Sequence, residues 1–170
     1  MRVRRSLRLV ETTVGAARVH LASPGGASGA PLVALGHGAG GGVDSWDLQQ
    51  VAAACIDAGC RVALIEQPWR VAGRRIAPRP ATLDAAWVEV LASFRPAGPL
   101  VVGGRSAGAR VACRTAGRVG AAGVLALAFP LHPPARPGVS RERELADASC
   151  PVLTIRRPSG LTDPPPPVDK

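Results

Sequence analysis

Tyrosine is absent from this 170-residue chain, and aromatic residues together make up only 3% of it. A core must therefore be assembled from Ala, Val and Leu, and few flat side chains are available for stacking nucleic-acid bases. Lys170 is the only lysine among 21 basic residues, so the positive charge is almost wholly guanidinium. The four cysteines, Cys55, Cys60, Cys113 and Cys150, lack C-x-x-C spacing, which argues against a zinc site. Cys55 and Cys60 fall on an expected helix and its exit, and free thiols in a reducing cytosol are the expected state. No apolar run approaches membrane-spanning length. The paired arginines of `MRVRRSLRLVETTVG` hint at an export signal, but Glu11, Thr12 and Thr13 interrupt any apolar core of one. A cytoplasmic location and no membrane partner are expected.

What is present is a net charge of +9 on a chain that is 46% hydrophobic. Such a charge could attract nucleic acid. The arginines are scattered rather than clustered, however, and they accompany abundant Ala, Gly and Pro as GC-rich codons would produce. No nucleic-acid partner is expected, and the oligomeric state is left open. Length and composition fit one globular domain. The expected division is a domain over 1–155 and a disordered Pro/Arg-rich tail over 156–170.

Short apolar runs alternate with amphipathic segments. `LRLVETT` and `AARVHLA` read as two strands joined near Gly15, before a Pro/Gly/Ser loop. `LVALG`, `RVALIE`, `LVVGG`, `GVLALAF` and `PVLTI` read as strands buried in a parallel sheet. Between them lie `DSWDLQQVAAACIDAG`, a helix that Asp44 or Ser45 can cap and Gly59 can end, a second helix from Thr82 to Phe94, and a third from Ser106. `QPWRVAGRRIAPRP` is expected as a loop, and `PLHPPARPGVSRERELADASC` as mostly irregular. The alternation implies an α/β fold with a doubly wound, mostly parallel sheet.

Two glycine-rich loops carry the chemistry. Gly36-His37-Gly38-Ala39-Gly40-Gly41 satisfies G-x-G-x-x-G, with Glu66 ending the next strand, so a dinucleotide site is one reading. A phosphate loop of the G-x-x-x-x-G-K type is excluded because no Lys follows. Gly104-Arg105-Ser106-Ala107-Gly108 is G-x-S-x-G between an apolar strand and a helix, the pattern of a nucleophile elbow. A serine before a helix is also a common N-cap. The elbow reading is favoured because it uses both loops: Ser106 as nucleophile, with the amides of Ala39 and Ala107 as an oxyanion hole. The dinucleotide reading uses one loop only. Neither cofactor nor metal is then expected.

The blocks `LVALGHGAGGGVDS`, `RVALIEQPWRVAGRR`, `LVVGGRSAGARVA` and `FPLHPP` resemble, in order and spacing, a dienelactone-hydrolase-like family of small α/β hydrolases. That family includes hydrolase-like domains of a testis-expressed protein and of the non-specific lethal histone-acetyltransferase complex. The resemblance runs from about Leu32 to Ile155 and implies a serine hydrolase of small ester or acyl substrates. Relatives carry Met-Gly-Gly where this chain has Ala107-Gly108-Ala109. The resemblance makes Ser106 the nucleophile, Ala39 and Ala107 the oxyanion donors, His37 structural, and Arg110 an anchor for its helix. Trp69 and Arg70 belong either to a solvated loop or to a pocket wall. His132, after the fourth buried strand, is expected as a loop residue between prolines.

A serine needs a base, and the base needs an orienting acid. In this fold the order is Ser, then Asp or Glu, then His. The only histidine after Ser106 is His132, which precedes `PVLTI`. Asp163 stands about three residues late for the triad acid and is followed by prolines. The expectation is a fold lacking its last strand and helix, by truncation or frameshift, with catalysis impaired by loss of the triad Asp and His. The alternative is a non-catalytic hydrolase-like scaffold that binds a small molecule or protein.

Overall fold

The computed structural model describes residues 2–26, 28–94, 96–133 and 135–156. Seven strands form one sheet: β1 (Val3–Thr12), β2 (Gly15–Pro24), β3 (Leu32–Gly36), β4 (Arg61–Glu66), β5 (Leu100–Arg105), β6 (Gly123–Leu127) and β7 (Val152–Ile155). Their order is β1-β2-β4-β3-β5-β6-β7. β1 and β2 form an antiparallel hairpin, and β2 also runs antiparallel to β4. The remaining pairs, from β4 through β3, β5 and β6 to β7, are parallel.

Helices cover both faces, as the strand alternation requires. α1 (Trp46–Asp57) buries Leu48, Ala52 and Ile56 against Val33, Leu35, Val62 and Leu64. α3 (Pro80–Ala92) and α4 (Ala107–Thr115) cover the opposite face, where Trp87, Val90 and Val111 meet Leu32, Ala34 and Val102. Consecutive residues of β3 thus point into different cores, which is why `LVALG` is apolar throughout and buried at every position. The doubly wound α/β expectation holds.

Two details depart from the sequence reading, and a third qualifies it. `QPWRVAGRRIAPRP` is not all loop: Pro68 opens a one-turn helix, α2 (Pro68–Val71), where its missing N–H costs nothing. Glu142–Ala146 forms α5 within the stretch expected to be irregular. β7, although as apolar as a buried strand, stands where a fold lacking its last strand is expected to leave it. It ends the sheet, paired on one side only, and Leu153 is 58% exposed. Of the expected tail, 157–170 lie outside the described residues, as does Asp163.

Candidate functional site

Strands β3 and β5 are neighbours in register, with Gly36 opposite Gly104. Both end at the same edge of the sheet, so the loops that follow them must share space. Glycine is what makes that possible. A Cβ at Gly108 would strike the carbonyl oxygen of Gly36 and lie 2.6 Å from its carbon and 2.9 Å from the oxygen of His37. Gly104, at φ +153, faces the same carbonyl and could not carry a side chain either. The helix α4 therefore starts with its backbone pressed directly onto the end of β3.

Between β5 and α4 stands Ser106, at φ 52 and ψ −106. Positive φ is costly for a residue with a Cβ, on the order of 1–3 kcal/mol, and persists only where the surroundings impose it. Here the surroundings are identifiable. The Ser106 amide donates to the carbonyl of Leu127 on β6 at 2.9 Å, and its carbonyl accepts the first helical bond, from Arg110 N, at 3.1 Å. The turn exposes the side chain at the sheet's edge, half-buried, where open α/β sheets receive ligands. A Cβ placed on Gly38 would sit 3.6 Å from the Cβ of Ser106 and 3.5 Å from the Arg105 carbonyl, so the two glycine loops are in contact. Neither the amide of Ala39 nor that of Ala107 has a backbone partner among the described residues.

His37 holds the first of these loops. Its Nδ1–H donates to the carbonyl of Gly38 at 2.8 Å, and its Nε2 accepts the amide proton of Gln67 at 3.1 Å. An Nε2 that accepts must be unprotonated, so the ring is the neutral Nδ1–H tautomer. Burial pushes its pKa below the ordinary 6.5, overcoming the opposing hydrogen bond to Gly38. The ring also packs against Trp69 at 5.6 Å between centroids. Trp69, on α2, is core rather than solvated loop, being only 5% exposed, whereas Arg70 is exposed.

The helix behind Ser106 is pinned by ion pairs that join distant segments. Arg110 reaches both carboxylate oxygens of Glu144 on α5, at 2.8 and 2.7 Å. Arg114 bridges Asp84 on α3 at 2.9 and 2.6 Å, and touches Glu144 at 3.2 Å. Burial would raise the Glu144 carboxyl, but the hydrogen bonds and charges of Arg110 and Arg114 hold its pKa below the ordinary range. Arg105, beside the serine, donates from Nε to Asp47 on α1 at 2.7 Å. Glu144, Asp84, Asp47 and Gln67 went unnoticed in the sequence, because each acts on a partner 30 or more positions away.

None of the chain's three histidines hydrogen-bonds to Ser106. His20 faces Glu66 at 3.3 Å, and His132 donates to the Val139 carbonyl at 3.1 Å in an exposed loop. Among the described residues no group of three or more His, Cys, Asp or Glu could hold a metal ion, and no helix is long and apolar enough to cross a membrane. All four cysteines are free, and burial pushes the Cys113 thiol up to about 11.

Solved structures share this architecture. An α/β serine hydrolase homologue from Coxiella burnetii superposes with a TM-score of 0.73 at 16% identity, over 89% of this chain and 73% of its own. A lid-less α/β serine hydrolase from Xanthomonas campestris gives 0.67 at 16% identity, over 90% and 84%. Esterase Est22 gives 0.60 at 16% identity over 74% of this chain, which spans only 44% of that enzyme. No curated protein sequence matches. A family model described as an alpha/beta hydrolase domain matches residues 29–160, taking in β3 to β7 and both glycine loops. The chain belongs to the alpha/beta hydrolase domain family.

Proposed function

We propose that Ser106 is the nucleophile of a serine hydrolase acting on small ester or acyl substrates. The observation that carries this reading is its backbone: a serine held at positive φ on a strand-to-helix turn, between Gly104 and Gly108, where any Cβ would strike the Gly36 carbonyl. Strain of this kind is retained where geometry serves a purpose. In the reaction the Ser106 Oγ adds to the carbonyl carbon and its proton passes to a base. The oxyanion then receives hydrogen bonds from the amides of Ala39 and Ala107, the second at the positive end of α4. Collapse expels the alcohol, and water releases the acyl group by the same route.

The base is the weak point. His37 has both ring nitrogens committed, and His20 and His132 bond elsewhere, so the serine has no imidazole partner in this arrangement. Turnover by this chain is therefore impaired, by roughly 10⁴–10⁶ relative to a complete triad. The same observation favours a second reading, a hydrolase-like scaffold that binds a ligand without turning it over. The dinucleotide reading has less support, since α1 begins only at Trp46 and the glycine loop is packed on α4 instead of opening onto a helix N-terminus.

A fluorophosphonate probe separates these. Slow labelling that disappears in Ser106→Ala, with almost no hydrolysis of p-nitrophenyl esters, is expected. Labelling unchanged in Ser106→Ala would remove the serine from the chemistry. No labelling at all would leave the scaffold, and saturable NAD(H) binding lost on Gly38 substitution would restore the dinucleotide reading.

A further inference from the structure

The C-terminal end of α1 holds two cysteines close together, a feature independent of the hydrolase reading. The helix stops at Ala58, and Gly59 follows at φ +85, the left-handed conformation that glycine adopts without strain. The Gly59 amide donates to the Ile56 carbonyl at 2.9 Å, and the Cys60 amide donates to the Cys55 carbonyl at 2.9 Å. These two bonds define a Schellman motif, which brings together the residues at the ends of its outer bond, here Cys55 and Cys60. Backbone lengths bound their separation, since a carbonyl oxygen stands about 2.4 Å from its own Cα and an amide nitrogen about 1.5 Å. With 2.9 Å between oxygen and nitrogen, the two Cα atoms are no more than about 6.8 Å apart, and closer because those atoms are not in line. A disulfide spans about 4.4–6.8 Å between Cα atoms.

Both ends are fixed. Cys55 lies in the last turn of α1, and Cys60 is followed by Arg61, whose amide donates to the Pro31 carbonyl at 2.9 Å as β4 begins. Both side chains pack on the core beneath α1, yet both are only partly buried, so a small oxidant can reach them. The Cys55 thiol is pushed up first by burial and then by a charge on Cys60, which acts only at short range. Cys113 offers no such site, being fully buried with its thiol pushed up to about 11.

We propose that Cys55 and Cys60 are a reversible redox site, joined by a disulfide when the chain meets a small disulfide such as oxidised glutathione. The thiolate of one cysteine attacks that molecule, whose S–S bond breaks and releases one thiol. The thiolate of the other then attacks the mixed disulfide and releases the second thiol. Two protein thiols lose two hydrogens, and the oxidant takes them up as two thiols. The loop closed is only six residues long, from Cys55 to Cys60. Such a bond restrains the unfolded chain less than a long-range bridge would, and it stays open to exchange.

The test equilibrates the whole chain in glutathione buffers of graded ratio, traps free thiols with an alkylating agent and maps the products by mass spectrometry. A Cys55–Cys60 bond is expected, with an equilibrium constant about tenfold or more above that of the same chain unfolded in urea. Gly59→Ala should lower the native value toward the unfolded one, because a side chain at φ +85 opposes the motif while nothing stands within 4 Å to clash. Gly73→Ala, at φ +71 beyond α2 and equally unobstructed, should stay within about twofold of wild type. If Gly59→Ala fails to fold, by its circular-dichroism melt, the native chain against the urea-unfolded chain decides alone. Equal constants in those two states would overturn the proposal. So would a folded Gly59→Ala that loses no more than Gly73→Ala, or glutathione adducts and bridges to Cys113 or Cys150 in place of the Cys55–Cys60 bond.

Discussion

The turn at Ser106 and the hairpin of β1 and β2 obey opposite rules within one sheet. At the turn, backbone meets backbone: Gly104 and Gly108 press on Gly36, and a methyl added to either has nowhere to go. On the hairpin, side chains meet water: β1 leaves seven of its ten positions exposed. The first region tolerates one arrangement, whereas the second tolerates many. The chain has no slack at the turn and plenty on the hairpin.

The sharpest way to break the contrast is to add a methyl group at the tight end. Gly108→Ala should cost ~3 kcal/mol or more, since the atoms met are backbone carbonyls that cannot rotate aside. Urea denaturation would read this as a lowered midpoint. A midpoint within error of wild type would mean that β3 and α4 can separate freely, and the elbow would not be rigid. Ser106→Gly probes the same place with the opposite sign. It removes the positive-φ strain and should raise stability by ~1 kcal/mol, after allowing for the extra freedom of glycine in the unfolded chain. A loss of stability would place the strain elsewhere. The smallest effect belongs to the hairpin: Leu9→Thr, at an exposed strand position, should shift the thermal midpoint by no more than ~0.5 kcal/mol allows.

The same contrast governs what the sequence discloses. Strands β3 to β6 were legible because apolar runs of five or six residues between turn signals have few other uses. The second loop is legible because Gly104 and Gly108 have a steric reason, whereas Gly40 and Gly41 of the first have open space around them. `PVLTI` is as apolar as `LVALG`, because an apolar run does not record whether a neighbour stands on its far side, and the edge position of β7 follows only from the expected loss of the last strand. α2 was hidden in a loop because a single turn has no periodicity to detect. Trp69 reads either way in the sequence because its neighbour in space, His37, is more than thirty positions away. The pairing of Arg110 with Glu144 and of Arg114 with Asp84 is likewise set by packing of α3, α4 and α5. Arginine in a helix announces a charge and not the acid that will meet it.

The bond from the Ser106 amide to Leu127 makes the serine the final rung of the β5–β6 ladder. Its location is inherited from the next strand along, and β6 in turn takes its alignment from β7. Transplanting `GGRSAGA` into another scaffold would carry the glycines without the rung, and the hydroxyl would no longer be aimed. Conversely, a bulge introduced at Ala126 would displace the serine without altering any residue of the motif. The pentapeptide is an address written on one strand and delivered by its neighbour.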